Sequence, residues 1–250
     1  MGGNGWNEYS RRAYRRALEM DPTRPTCLTS PTCPEARYAL RMKTILMTGI
    51  AGAFVLAAGA AYAQAVVTPK LDTPQAKVII ATLQPHKPAN ATQGHATHRM
   101  LVYLDDGVMT RQEGSNPKQT ITFKRGDVRW RPASGAYVSE NTGDKPIRIL
   151  EVDLKGPASG VDPKTPLDPT VVDAKHYTVM FENEFFRVMR VHYGPRETGA
   201  RHEHKLNRVV IYLNDQPNAK ADDVRMSGPG THVEENASDQ VADRIAVEIK

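Results

Sequence analysis

The sequence predicts an all-β protein built from two related units behind an N-terminal export segment. Three observations carry this. After residue 64 the chain is a series of short runs rich in β-branched and aromatic residues, broken by Gly, Asn, Asp and Pro, with no long amphipathic helix. Two stretches of that series repeat each other in order and spacing. Ahead of them lies an uncharged, mostly apolar run that ends in a small-residue pattern.

Residues 42–65 read MKTILMTGIAGAFVLAAGAAYAQA. Met42 and Lys43 supply a start and a positive charge, the apolar run follows, and Ala61-Tyr62-Ala63 places small residues at −3 and −1 before Gln64. That is the layout of a secretory signal peptide at 42–63. The competing reading is a membrane anchor, because Thr44–Ala63 is 20 residues long, enough to span a bilayer. Eight cationic residues from Arg11 to Lys43 would then hold the front inside. Residues 1–41 are rich in Arg and Pro and show little periodicity, so they are expected to be a disordered extension from an upstream start, with Met42 the true start. Export implies a periplasmic or secreted protein, with membrane contact only if the segment stays uncleaved.

Residues 64–76 (QAVVTPKLDTPQA) are expected to form a flexible lead-in. The first unit, 77–155, holds strand patterns at 78–83, 100–104, 120–123, 127–130 and 148–154. Residues 156–175 open with GPASGVDPKTPLDPT, four prolines and no apolar run, and read as a linker. The second unit, 176–250, repeats the pattern at 177–181, 185–193, 208–213, 223–226 and 244–249. HRMLVYLDDG (98–107) aligns with NRVVIYLNDQ (207–216), DVRW (127–130) with DVRM (223–226), and 135–155 aligns without a gap on 230–250. The second copy is shorter before DVRM and is expected to lack the hairpin that the first keeps at 108–123. Each unit is then a compact barrel, or the two share one core, and the pocket wall is expected to draw on both.

The net charge of +5 suggests nucleic-acid binding until the charge is located. Residues 1–63 hold 8 Lys/Arg against 4 Asp/Glu, and residues 64–250 hold 25 against 24. The main body is balanced and carries no basic run longer than Lys124–Arg125, which argues against nucleic acid as a partner. Both cysteines, Cys27 and Cys33, precede residue 64. Disulfides, a Cys-ligated zinc and a thiol nucleophile are therefore excluded from the main body, and any metal there must take His, Asp or Glu. No phosphate-cradling loop, nucleophile elbow, dinucleotide fingerprint or helix-turn-helix segment is present.

In the second unit Gly194 precedes His202-Glu203-His204, the strand VVIYL follows, and Pro229-Gly230-Thr231-His232 stands four residues ahead of Asn236. At these residues the chain resembles the cupin superfamily, over about 77–155 and 176–250. The resemblance implies tandem jelly-roll β-barrels and a metal site at His202, His204 and His232. Arg208 stands at about the place of the family's Glu ligand, and a guanidinium has no lone pair to offer. A three-His site remains. The first unit keeps Gly126, Pro132 and Asn141, and its His95 aligns with His204, but Gln93 stands in the place of His202 and Tyr137 in that of the motif histidine. A metal-free pocket or a structural barrel is the expectation there. His95 and His98, three apart, would point to opposite faces of a strand.

On a strand His202 and His204 project to one side about 7 Å apart, and His232 closes the triangle if the barrel forms. Neutral imidazole suits zinc, iron, copper or nickel, with manganese a further candidate, and three protein ligands leave a position open for water or substrate. Arg208, Tyr212 and Glu235 are pocket candidates. Arg208 and its counterpart Arg99 read as an anion clamp or as an edge salt bridge to an acid, Tyr212 as a cavity wall or ordinary packing, and Glu235 as a candidate general base. Asn141 and Asn236 read as turn-fixing residues. Two functions stay open: an exported metal-dependent protein that binds or transforms a small polar molecule, and a non-catalytic ligand-binding or interaction barrel. The shortened second unit leaves a sheet edge on which a homodimer could form.

Overall fold

The computed structural model describes residues 65–91 and 94–250. The extension 1–41, the export segment 42–63 and the residue in the place of His202, Gln93, lie outside them. The regular structure of the described chain is almost entirely strand. In order it runs β1 (Val66–Asp72), β2 (Ala76–Leu83), β3 (Pro88–Ala91), β4 (Arg99–Tyr103), β5 (Gly107–Glu113), β6 (Gln119–Phe123), β7 (Val128–Arg131), β8 (Tyr137–Asn141) and β9 (Ile147–Leu154). After a four-residue helix, α1 (Pro169–Val172), come β10 (Tyr177–Glu182), β11 (Phe186–Tyr193), β12 (His202–His204), β13 (Arg208–Tyr212), β14 (Val224–Ser227), β15 (Gly230–His232) and β16 (Ala242–Ile249). None of the described helices is long and apolar enough to cross a membrane.

The duplication is visible strand for strand. One five-stranded sheet has the order β1-β2-β9-β4-β7, and a second repeats it as β10-β11-β16-β13-β14. Even the irregularities repeat: the β1–β2 register shifts between Pro69 and Leu71, and the β10–β11 register between Val179 and Phe181. The lead-in expected to be flexible is thus an edge strand. Pro69 conceals it in the sequence, since proline is tolerated only at edges and bulges, which is where Pro69 sits.

The smaller sheets differ. The first unit closes its barrel with the four-stranded sheet β3-β8-β5-β6. The second has only the ribbon β12-β15, with a tight turn in place of the β5–β6 hairpin, as the shortened sequence requires.

The two five-stranded sheets bury a common core. Along β9 the residues Leu150, Val152 and Leu154 join Val78, Met100, Val209, Ile211, Ile245 and Val247 in one cluster drawn from both units. The alternate residues Ile147 and Ile149 face the first barrel's interior with Leu101, Tyr103, Met109 and Phe123. Because side chains alternate across a strand, β9 serves both cores at once, although the charged Arg148, Glu151 and Asp153 interrupt its apolar residues. Fully burying each such side chain contributes about 1.5–3 kcal/mol. Across the same boundary Arg148 holds Asp105 in a bidentate pair (2.9 and 2.7 Å) and also reaches Asp222 of the second unit.

The linker is structured where it meets the second barrel. Asp168 caps α1, accepting from the Thr170 N–H at 2.9 Å, with Pro169 at the first helical position. The same carboxylate receives both ends of the Arg187 guanidinium, at 2.7 and 2.9 Å, in a pair almost fully buried.

Candidate metal centre in the second barrel

The three histidines come from one short ribbon. β12 and β15 pair antiparallel, with His202 opposite His232 and His204 opposite Gly230. Opposed residues on such a pair bring their Cβ atoms to about 4.5–5.5 Å, and residues two apart share a face. The ring centroids accordingly stand 4.4 Å apart for His202–His232, 5.1 Å for His202–His204 and 5.5 Å for His204–His232. One ring nitrogen from each lies within 4.8 Å of the other two, a set that could hold a metal ion. His202 and His204 are fully buried and His232 is half-buried.

Burial sets their protonation. It lowers the pKa of His202 and of His204, and the Arg208 cation lowers both further, against weaker opposing effects from Ala200 and Glu248. His232 is pushed down to about 4 by burial and by His202, Arg208 and His204. All three are neutral imidazoles at physiological pH, the form that can donate a lone pair to a metal.

Neighbouring groups fix which nitrogen is free. His204 donates from Nδ1 to Glu248 Oε1 at 2.8 Å, and His202 donates from Nδ1 to the Ala200 carbonyl at 2.9 Å. Both then present a bare Nε2 to the centre, the arrangement that orients histidine ligands. Tyr177 adds a telling constraint. Its hydroxyl stands 3.0 Å from His202 Nε2 and 2.7 Å from Glu234 Oε2. The hydroxyl has one proton and faces two acceptors. Donation to Glu234 leaves the His202 lone pair without a proton partner in a buried site. A cation at the centre would take that lone pair and complete the accounting.

Arg208 is buried at the position where the resemblance places a Glu ligand, and it donates from Nη1 to the Gly228 carbonyl at 2.7 Å. It is opposite Glu248 in the β13–β16 register, so it is neither an edge residue nor a metal ligand. The histidine rings bond neither Glu203 nor Arg208. Their partners are Ala200, Tyr177 and Glu248.

A cavity of about 470 Å³ adjoins the ribbon, lined by His204, His232, Arg208 and Tyr212 and, at its mouth, by Glu234 and Glu235. Glu235 is exposed and joins Thr198 through a backbone bridge, so it stands at the rim. Two guanidinium groups approach the Tyr212 ring, Arg225 at 5.1 Å and Arg244 at 5.4 Å from its centroid. Arg244 also pairs with Glu234. The cavity wall comes from the second unit alone, which corrects the expectation of a wall shared by both units.

Sequence reasoning missed Tyr177, Glu234, Arg244 and Glu248. For Glu248 a signal existed: Arg244, Ala246 and Glu248 alternate with the apolar Ile245, Val247 and Ile249, so an acid sits on a buried barrel-facing parity. For Tyr177 and Glu234 no local pattern tells that they meet.

No family model matches this chain, and no curated protein matches it significantly. Solved structures do. Procruciferin, an 11S globulin from Brassica napus, shares 10% identity over 71% of this chain and 78% of its own, with a TM-score of 0.50. A cupin 2 conserved barrel domain protein from Leptotrichia buccalis shares 14% identity over 75% and 90%, with a TM-score of 0.48. The oxalate decarboxylase of Lactobacillus farciminis, solved as a formate complex, shares 10% over 70% and 77%, with a TM-score of 0.48. At such identities the likeness is one of fold.

Proposed function

From the premise that this chain carries the cupin fold twice, we propose that its second barrel holds a divalent metal ion on His202, His204 and His232 and there binds or transforms a small polar molecule. The observation that carries the reading is the donor set itself: three neutral imidazole nitrogens within 4.8 Å of one another, two of them oriented by Nδ1 hydrogen bonds. An ion so bound supplies a Lewis acid able to polarise a carbonyl or activate water, and iron or manganese also opens dioxygen chemistry. Zinc, iron, manganese, copper and nickel all suit the ligands.

The chain's own groups supply the rest. Arg225 and Arg244, both beside Tyr212 in the cavity lining, favour a ligand with anionic or carbonyl oxygens. Tyr177 donates its proton to Glu234 Oε2, which holds that carboxylate beside the histidine centre. The alternative is a metal-free binding or interaction barrel, and its supporting observation is Arg208, a fixed cation beside the three rings.

Elemental mass spectrometry of untagged protein, purified without chelator, separates the two. Near one metal per chain, lost in the His202→Ala/His204→Ala double variant, supports the metal reading. No metal after reconstitution with all five ions overturns it. We propose also that the protein is exported to the periplasm or secreted. Peptides from 1–41 in mass spectra of the native protein would count against the start at Met42. The two-stranded ribbon β12-β15 leaves an edge that a second copy could extend into a homodimer, and a monomeric elution volume would end that idea.

A further inference from the structure

The first barrel encloses a cavity of its own, about 500 Å³, and the metal reading makes no use of it. Arginines reach it from three strands: Arg99 from β4, Arg111 from β5 and Arg131 from β7. Arg99 is 1% exposed and Arg111 6%. Arg99 Nε and Nη1, Arg111 Nη2 and Arg131 Nε are buried without a hydrogen-bond partner. A buried guanidinium donor with no acceptor is strongly unfavourable, and native structures rarely keep one, let alone four atoms in one place.

The acids nearby do not satisfy these donors. Glu113 accepts from Arg111 Nε at 2.8 Å, and Glu151 Oε2 stands 3.7 Å from Arg99 Nε, too far for a good hydrogen bond. Burial raises the pKa of both Glu151 and Asp153, which disfavours their charge. Tyr137 stacks under the cations, with the Arg111 guanidinium 3.4 Å from its ring centroid, and its hydroxyl accepts from Arg99 Nη2 at 3.1 Å. His95, Glu151 and Asp153 also gather closely enough to suggest a cation. Arg99 argues against one, since its Nε faces Glu151 and its backbone register is opposite Asp153.

The cavity is graded along the strands. Arg99 pairs with Arg131 at the start of β4, while Tyr103, at its end, pairs with Ile149. Leu101, Tyr103 and Met109 form an apolar wall beyond the arginines. Gly94 at φ +67° holds His95 at the rim, and a side chain there would collide with the Ser134 carbonyl. Four buried, unpaired guanidinium donors at one end and an apolar wall at the other describe one class of ligand.

We propose that the first barrel is a binding site for a small organic carboxylate with an apolar body. Its carboxylate is held by Arg99, Arg111 and Arg131, and its body lies against Leu101, Tyr103 and Met109. This site is independent of the three histidines.

The test is calorimetric titration of the untagged protein with benzoate and hexanoate, each against its amide, and with inorganic phosphate and zinc. The carboxylates should bind, and benzamide and hexanamide should bind about tenfold or more weakly, because the charge-assisted hydrogen bonds are lost. Arg111→Gln should weaken benzoate about tenfold, and His202→Ala/His204→Ala should leave it unchanged. If Arg111→Gln fails to melt cooperatively, Arg131→Gln on the half-buried edge strand β7 takes its place. Equal binding of acid and amide, or no binding of either acid at millimolar concentration, would overturn the proposal. So would phosphate bound in preference to both acids, benzoate binding lost only in the histidine variant, or zinc binding that the histidine variant keeps but Arg99→Gln strengthens.

Discussion

The two barrels are the same scaffold carrying different interiors, and the differences fall at matched positions. His204 in the second barrel corresponds to His95 in the first, His232 to Tyr137, and Glu248 to Asp153, while Arg208 and Arg99 are the same residue twice. One change of residue at the His232 position turns a nitrogen donor into a phenol. The retained β5–β6 hairpin then brings Arg111 over that phenol, where the second unit has no strand at all. A neutral, nitrogen-lined centre and a cationic pocket thus arise from one strand order. What fixes the chemistry of a barrel here is the handful of side chains at one end of the strands and whether the small sheet is complete.

The largest effect should come from the linker, which covers only the second barrel. Arg187 is opposite Glu248 and is buried under Asp168, whereas Lys77, at the matching register opposite Asp153, is exposed. Asp168→Asn takes from the buried Arg187 its bidentate partner, leaving only Glu182 at 3.8 Å and Glu248 at 3.9 Å, and should cost about 3–5 kcal/mol in urea unfolding. Burial alone would raise the pKa of Asp168, but hydrogen bonds from Arg187 and Thr170 outweigh it and hold the carboxyl below 3.8. A depressed folded pKa means the contribution is complete above the unfolded value and is lost as pH falls through the folded one. The wild type should therefore lose stability below about pH 4, and Asp168→Asn should show a flatter acid limb. An unchanged acid limb would separate Asp168 from the acid sensitivity of the fold.

Next in size is the shared core. Leu150 is 0% exposed and belongs to the cluster drawn from both units. Leu150→Ala should cost about 2–5 kcal/mol and should lower a single unfolding transition, because neither large sheet keeps its buried face without the other. Two resolved transitions in calorimetry, only one of them shifted, would mean that the barrels fold separately and that this core is a weak interface.

The turn asparagines test where the barrels are alike. Asn141 donates to the Leu83 and Lys145 carbonyls at 3.1 and 2.7 Å and accepts from the Gly143 N–H at 3.0 Å. Asn236 donates to the Gly194 and Gln240 carbonyls at 2.8 and 2.7 Å and accepts from the Ser238 N–H at 3.2 Å. Each replaces a set of backbone partners that the turn cannot otherwise find. Asn141→Ala and Asn236→Ala should each cost about 1–3 kcal/mol and should agree within error. A marked difference would show that the turns have diverged as the interiors have.

The repeat made most of this fold legible. Ungapped alignment of 135–155 on 230–250 fixes the last strands of both units, and the shortened interval before DVRM gives the missing hairpin. Strands β1 and β3 were not legible, because Pro69 and Pro88-Ala89-Asn90 look like turn residues and only long-range pairing makes them strands. The linker hid its order for a similar reason: Asp168-Pro169 is a helix-start signal, but its buried partner Arg187 lies 19 residues on. In the site, His202 and His204 were readable by parity and His232 through the resemblance. Tyr177, Glu234 and Arg111 were not, since their neighbours are set by register between distant strands.

The smallest expected effect isolates the difference between the two interiors most cleanly. Glu248 accepts from His204 Nδ1 at 2.8 Å, which leaves Nε2 bare. Asp153 stands at the same register in the first barrel but has a shorter side chain, and His95 there bonds Tyr137 instead, at 2.9 Å through Nε2. Glu248→Gln keeps shape and one acceptor oxygen while removing the charge that raises the basicity of His204. Metal affinity, measured by competition with a chromophoric chelator, should fall about tenfold, which is about 1.4 kcal/mol. Asp153→Asn should leave that affinity unchanged, because it belongs to the other interior. If Glu248→Gln binds metal as tightly as the wild type, the carboxylate serves Arg187 and Arg208 rather than the histidines, and the contrast between the barrels rests on His232 and Tyr137 alone.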